Sequence, residues 1–505
     1  MSANQNLAAL IEAACNRHST VPAFAYSDGR GVARHDLLAD VARMARVLVE
    51  AGVAPGDRVT VQAEKSLPTV ALYLATLKVG AIFHPLNSAY TAAEVGFFIA
   101  DAEPKILVAT SARLAEIGDI ARQHGIATRL TLEVDGSGTL TDAAKSGAPF
   151  LDTVHRESGD LAALLYTSGT TGRAKGALIT HGNLVSNAAA LIDIWELAEG
   201  ETLIHALPIY HVHGLFVALN TALLGGLRML WMEKFEAGKV LRAFSNAQVM
   251  MGVPTFYTRL VTEPGLDAVS TAGMRLFISG SAPLLPETHA AFRARTGHAI
   301  LERYGMTETG MITSNPYRGE RIAGTVGYPL PNVSVRITDD KGNELSRGET
   351  GNVEVKGPNV FAGYWRLPEK TREDFRPDGY FITGDQGLMA TDGRLSLVGR
   401  AKDLIITGGL NVYPIEIEQA LNALPGIGES AVIGVPHADF GEAVVAIVVP
   451  NGEPPAEPAV IAALARQLAK FKCPKRVIAL AELPRNSMGK VSKAQLRERF
   501  KGLLS

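Results

Sequence analysis

The chain has 505 residues, which a prior of about 150 residues per domain divides into roughly three domain-sized units. Its 49 basic and 51 acidic residues nearly cancel, excluding a general nucleic-acid binder and a protein held to anionic membranes by charge. Two cysteines in unrelated contexts, Cys15 and Cys473, exclude a disulfide framework or a cysteine-rich zinc site and fit a reducing cytosol.

The N-terminus, "MSANQNLAALIEAACNRHST", lacks a basic start, and Glu12 interrupts its apolar run, so it reads as an amphipathic helix rather than a secretory signal. "HDLLADVARMARVLVEAG" has helical apolar spacing, "DRVTVQAE" alternates as a strand, "PTVALYLATLKVG" is helical, and "AIFHPLN" is an apolar strand. This alternation predicts βαβ units on a mostly parallel sheet, and it resumes between residues 160 and 310. The most apolar stretch, Leu215 to Met232, carries Asn220, two glycines and Arg228, and reads as a core segment, not a membrane span.

From about 325 to 400, short alternating strands ("SVRITDD", "GNVEVKG", "RLSLVGR") between Gly, Asp and Asn turns predict a small antiparallel sheet or barrel. Beyond Arg400, "YPIEIEQALNAL" and "PAVIAALARQLAKF" read as helices, "ESAVIGVPH" and "EAVVAIVVP" as strands. The expected organisation is α/β. A large N-terminal domain (1–401) holds two βαβ-type subdomains and a small antiparallel β-barrel. A small, mobile α+β domain (402–505) follows.

"YTSGTTGRAKG", from Tyr166 to Gly176, crowds hydroxyls, glycines and cations together, yet fits no familiar phosphate loop. A Walker A loop needs glycine directly before its lysine, where this chain has Ala174 before Lys175, and Gly169, Gly172 and Gly176 miss the dinucleotide spacing. The flanks "LAALLY" and "GALIT" read as strands, and the first convincing helix starts later, at "GNLVSNAAALI". Phosphate binding would rest on exposed backbone N–H groups, on Thr167, Ser168, Thr170 and Thr171, and on Lys175.

That loop, with "ALPIYHVHGL", "SGSAPL", "RYGMTETG", "GYFITGD", "GRAKDLIITGGLNVYPIEIE" and "LPRNSMGKVSK" following in order, resembles the acyl-adenylate-forming enzymes: acyl-CoA synthetases, adenylation domains and luciferases. The resemblance implies attack of a carboxylate on the α-phosphate of ATP, release of pyrophosphate, and transfer of the acyl group to coenzyme A. It implies that Thr167, Ser168, Gly169, Thr170, Thr171, Gly172 and Lys175 hold the outer phosphates, Thr307 a phosphate, and Glu308 a magnesium ion. Gly280, Ser281 and Ala282 would run along the adenine with Tyr304 stacked on it, Asp385 would take the ribose hydroxyls, and Arg400 would lie beside them. Lys490 would reach the substrate carboxylate and α-phosphate. The C-terminal domain would rotate about Lys402, bringing Gly408 and Gly409 to line the pantetheine path. Acylation of Lys490 by a protein acyltransferase would delete its charge.

Acid choice rests on fewer residues. His211 matches the family's acyl-pocket histidine, with His213 an incidental neighbour. Arg303, directly before "YGMTET", would be costly to bury in an acyl pocket without an anionic partner, so a second substrate carboxylate is expected. Arg259 in "GVPTFYTRL" would join it, with Met306 limiting substitution at the α-carbon; together these resemble the malonyl-CoA synthetases of the superfamily. The alternatives are that Arg303 pairs with Glu302 or another structural acid and Arg259 caps a helix, that the acid is a short or medium monocarboxylate, or that the acceptor is a free-standing carrier protein. The expected setting is the cytoplasm, with no membrane or nucleic-acid partner.

Overall fold

Strands buried on both faces organise the first part of the chain. Ile82–Pro85, Ile106–Ala109, Thr202–His205, Val249–Gly252 and Leu276–Ser279 are buried at every residue, as parallel strands sandwiched between helices must be. The computed structural model describes residues 3–167, 174–407, 410–437, 440–468, 470–486 and 489–504. It divides into two compact units, Met1–Ser334 with Val355–Phe381, and Val335–Glu354 with Ile382–Ser505.

The first unit holds two sheets. A six-stranded sheet runs in the order Thr128–Thr131, Ile106–Ala109, Arg58–Gln62, Ile82–Pro85, Leu161–Thr167, Lys175–Thr180. Its pairings are parallel except the last, which is antiparallel. A nine-stranded sheet is parallel through its centre and runs on one side into an antiparallel hairpin, Leu301–Met306 with Gly310–Ser314, with Tyr328–Pro329 at the edge. The helices begin where the sequence gives them a stop for their free N–H groups. Thr180 and Asn183 form a capping box on the helix His181–Ile194, and prolines open Pro254–Leu260 and Pro286–Thr296.

The stretch Leu215 to Met232 is buried as expected, but it opens in a π-helix, His213–Leu219, which hydropathy does not distinguish from an α-helix. Gly214 is required there, because a Cβ would lie 2.0 Å from the carbonyl oxygen of Pro208.

In the second unit a four-stranded sheet orders Ser334–Thr338, Thr350–Lys356, Phe381–Met389 and Leu395–Arg400. Phe381–Met389 alternates buried and half-buried residues along its whole length. A further five-stranded sheet is built on the long antiparallel pair Ile427–His437 and Gly441–Pro450. Alternate residues of that pair feed two cores. Val432, Val444 and Ala446 pack with Ile417 and Leu421 of the helix Pro414–Asn422, while Ile433, Val445 and Ile447 pack with Leu496 of Lys493–Phe500. The helix predicted to run through "PAVIAALARQLAKF" stops at Leu464. Leu468 beyond it packs on the first of these cores from a turn, with its N–H still bonded to the carbonyl of Leu464.

Candidate active site

Tyr166 pairs with Gly176 and Thr167 with Lys175, so the glycine-rich stretch joins two antiparallel strands, and no helix stands behind it. Ser168, Gly169, Thr170, Thr171 and Gly172 lie outside the described residues, as do Gly408 and Gly409. The two ends of the loop are placed. Thr167 Oγ1 donates to Glu308 Oε1 at 3.3 Å, and Lys175 Nζ stands 3.7 Å from Asp374 Oδ2 and 4.3 Å from the centre of the Tyr364 ring.

Glu308 sits in the turn of the hairpin Leu301–Met306/Gly310–Ser314, 5% exposed, and also accepts the Tyr364 hydroxyl at 3.4 Å. Two asparagines hold this turn, and a third holds the segment that carries one of them. Asn187 accepts Met311 N–H at 3.0 Å and donates to Met311 O at 2.9 Å, an amide used as a strand partner. Asn359 donates to Thr309 O at 2.8 Å and to Met311 O at 3.1 Å; Asn183 donates to Pro358 O and Val360 O, both at 2.8 Å. Gly310, at φ +57°, leaves room for this, since a Cβ there would lie 2.6 Å from Asn187 Oδ1. These asparagines were not singled out from the sequence, because an isolated Asn carries no motif.

A magnesium ion fits this donor set. Among the described residues no group of three His, Cys, Asp or Glu side chains could hold a metal unaided. One buried carboxylate, Glu308, accepts a hydrogen bond from Thr167 at the end of the strand that enters the glycine-rich stretch, and magnesium takes few protein ligands beside substrate phosphates and water.

Arg303 defines a second cluster. It is 4% exposed, and its Nε and Nη2 have no hydrogen-bond partner among the described residues. Burial pushes its pKa down to about 9, and the nearby Tyr257 hydroxyl offsets this in part. The alternative pairing with Glu302 is not formed. Neighbours on a strand point to opposite faces, and the Glu302 carboxylate instead accepts Gly324 N–H at 3.0 Å. Gly280 makes room for the guanidinium, because a Cβ there would lie 2.3 Å from Arg303 Cζ. Ser281 follows in the left-handed region at φ +73° with its hydroxyl 3.1 Å from Nδ1 of His213, and Ala282 is exposed. His213 thus has a polar contact of its own, two residues from half-buried His211. Tyr304 is buried, and Met306 and Thr307 are half-buried at the hairpin end. Arg259 is exposed on the last turn of Pro254–Leu260, so the structure buries one of the two predicted arginines and leaves the other at the surface.

Below this region, Lys65 donates to His205 O at 2.8 Å and Met232 O at 2.5 Å, and its ammonium lies 4.3 Å from the centre of the Trp231 ring. That ties the end of Thr202–His205, from which "ALPIYHVHG" departs, to the end of the neighbouring strand Arg228–Trp231.

In the second unit Asp385 and Arg400 face each other across Phe381–Met389 and Leu395–Arg400, with Arg400 Nε 2.6 Å from Asp385 Oδ1 and Asp385 5% exposed. Lys402 is exposed in a short 3₁₀ turn whose Asp403 pairs with Arg497 at 2.6 Å. Half-buried Lys490 closes a turn in which its N–H donates to Asn486 Oδ1 at 3.0 Å and its carbonyl accepts Asn486 N–H at 2.8 Å.

Residues 11–365 match the AMP-binding enzyme family, and 416–490 match the C-terminal domain of AMP-binding enzymes. The chain belongs to the AMP-binding enzyme family. This family member is 35% identical to a malonate–CoA ligase of Arabidopsis thaliana over 489 residues, covering 88% of the chain and 78% of that protein. It is 36% identical to a feruloyl-CoA synthase of Amycolatopsis sp over 483 residues, 94% of each. The crystal structure of ATP-bound MatB from Rhodopseudomonas palustris is 52% identical and superposes with a TM-score of 0.97, covering 100% of both chains. The chain is thus an AMP-forming acyl-CoA synthetase, and its use of ATP and CoA follows from that membership. No helix among the described residues is long and apolar enough to cross a membrane.

Proposed function

We propose that this synthetase converts malonate, ATP and CoA to malonyl-CoA, AMP and pyrophosphate in two half-reactions. One malonate carboxylate attacks the α-phosphate, pyrophosphate leaves, and the CoA thiol then displaces AMP from the malonyl-adenylate. The observation that carries the choice of acid is Arg303, a buried guanidinium whose Nε and Nη2 have no partner among the described residues, which suits the distal carboxylate of a small dicarboxylic acid. Likeness to the Arabidopsis malonate–CoA ligase and to MatB supports the same reading. His211 and Met306 bound the acid on this reading, with methylmalonate as the next candidate; exposed Arg259 would have to turn inward to help.

Thr167, Thr307 and Lys175, with the loop between, hold the phosphates, and Glu308 holds magnesium, which when bound supplies positive charge against them. Gly280, Ser281, Ala282 and Tyr304 take the adenine, and Asp385 and Arg400 the ribose. The Lys490 ammonium offsets charge developing at the α-phosphate. The working boundary lies at 401/402: the domain 402–505 turns about Lys402 between half-reactions, withdrawing Lys490 and presenting Gly408 and Gly409 to the pantetheine arm. An acyltransferase acting on Lys490 belongs to this reading through its chemistry alone, a half-buried lysine amine whose charge matters. A cytoplasmic setting completes it.

Pyrophosphate release with malonate, methylmalonate, succinate and butyrate tests the assignment. Malonate should be preferred, and Arg303→Leu should lose malonate while keeping or gaining butyrate. Preference of the wild type for butyrate would favour a monocarboxylate ligase. Adenylation of malonate without transfer to CoA would favour loading of a carrier protein.

A further inference from the structure

The loop "ALPIYHVHG" is closed at its base by the residue just before it. His205 is fully buried at the end of the strand Thr202–His205, and its Nε2 lies 2.9 Å from the carbonyl oxygen of Gly214. A carbonyl only accepts, so Nε2 carries the proton and donates. Nδ1 is buried with no partner among the described residues, and burial holds the imidazole pKa well below its ordinary value. The ring is therefore neutral and donates at one atom only.

That donor is held in place on every side. Its ring centre lies 4.8 Å from the ring of Trp231, the residue opposite it on the neighbouring strand. The carbonyl of His205 accepts the Met232 N–H at 3.1 Å and the Lys65 amine at 2.8 Å, and Lys65 Nζ lies 4.3 Å from the centre of the same indole. Within the loop, Leu215 N–H donates to His211 O at 2.9 Å, and Gly214 is pressed against the Pro208 carbonyl. Gly214 is also the second residue of the π-helix His213–Leu219, so the bond from His205 holds the first turn of that helix.

The same turn meets the acid site. The Ser281 hydroxyl lies 3.1 Å from Nδ1 of His213, the residue before Gly214. Ser281 has φ +73°, a left-handed backbone that a residue other than glycine keeps only when its surroundings hold it. Gly280, directly before it, leaves its side-chain volume to the guanidinium of Arg303. We infer that His205 is a positioning residue for the acid. Its N–H bond to Gly214 O sets the turn that brings His213 to Ser281, and so fixes the wall beside Arg303. The inference rests on the placing of the acid at Arg303 proposed above.

Pyrophosphate release by the full chain, with the acid varied and then ATP, tests it. His205→Phe keeps a ring against Trp231 and loses the donor. It should raise KM for the acid about ten-fold, the value of one buried hydrogen bond, with KM for ATP within about two-fold of the wild type. His205→Gln places an amide N–H where Nε2 stands and should restore most of the loss. His205→Asn, whose amide reaches only as far as Nδ1, should not. Thermal unfolding checks that each variant folds; if the phenylalanine variant does not, the contrast between glutamine and asparagine decides. Equal rises in both KM values, an unchanged acid KM in a folded His205→Phe, or no difference between glutamine and asparagine overturns the inference. Arg303→Leu reports on the placing of the acid: if it leaves the acid KM unchanged while the His205 variants shift it, the reading of Arg303 fails and the role of His205 stands.

Discussion

Gly280 and Arg303 share one volume: a Cβ on the glycine would lie 2.3 Å from Cζ of the arginine and 2.6 Å from its Nε. The segment expected along the adenine and the residue expected to choose the acid are thus in direct contact. A change at one must be felt at the other.

On the proposed reading Gly280→Ala should raise KM for malonate more than for ATP, because the guanidinium of Arg303 must move. Overpacking of this kind costs about 1–3 kcal/mol. Steady-state kinetics with each substrate varied decides the point, and an unchanged malonate KM would show that Arg303 has room the structure does not display.

Arg303→Met should stabilise the unliganded protein by about 1–3 kcal/mol, since a buried cation with unpartnered N–H groups gives way to an apolar side chain of similar length. The same variant should lose the stabilisation that malonate gives the wild type. Urea unfolding with and without malonate reads both effects, and a less stable variant would mean that the guanidinium already has a strong partner.

Asn187→Ala removes both hydrogen bonds to Met311 and leaves a buried N–H unpaired, at a cost of about 1–3 kcal/mol. The hairpin turn bearing Thr307 and Glu308 should loosen with it, so KM for Mg–ATP should rise while malonate selectivity stays. Thermal unfolding combined with ATP kinetics measures the two together; loss of stability alone would confine Asn187 to folding.

The carboxyl of Glu302 is pushed up by burial to about 7, from an ordinary 4.5, despite accepting backbone N–H groups from Gly324 and Leu284. An acid whose pKa is higher folded than unfolded favours the folded state when protonated. Its contribution is full below about pH 4.5 and is lost as pH rises to about 7, about 3 kcal/mol in all. Glu302→Gln should therefore flatten that part of the stability–pH profile. Parallel profiles for variant and wild type between pH 5 and 8 would refute it.

Much of the fold was legible because periodicity records burial. "AIFHPLN" and "DRVTVQAE" became parallel strands, and "LAALLY" and "GALIT" became the hairpin around the loop, each where the apolar pattern put it. Periodicity could not mark the π-helix at His213, since π- and α-helices bury similar stripes, nor the end of the last long helix at Leu464. The candidate site is read from motifs because its expected residues sit in dense local runs.

By itself the sequence determined the family, the order of the elements and the chemistry available at each motif, because these depend on residue type and near neighbours along the chain. Tertiary structure decided which polar groups lack a partner. Arg303 is buried with its Nε and Nη2 unpartnered among the described residues, Arg259 is exposed, and Glu302 turns away from its neighbour to a distant backbone N–H. It also decided that Tyr364, fifty-six residues from Glu308, meets that carboxylate with its hydroxyl and Lys175 with its ring. Burial and partnership are set by contacts between segments remote in the chain, and a one-dimensional pattern carries no term for them.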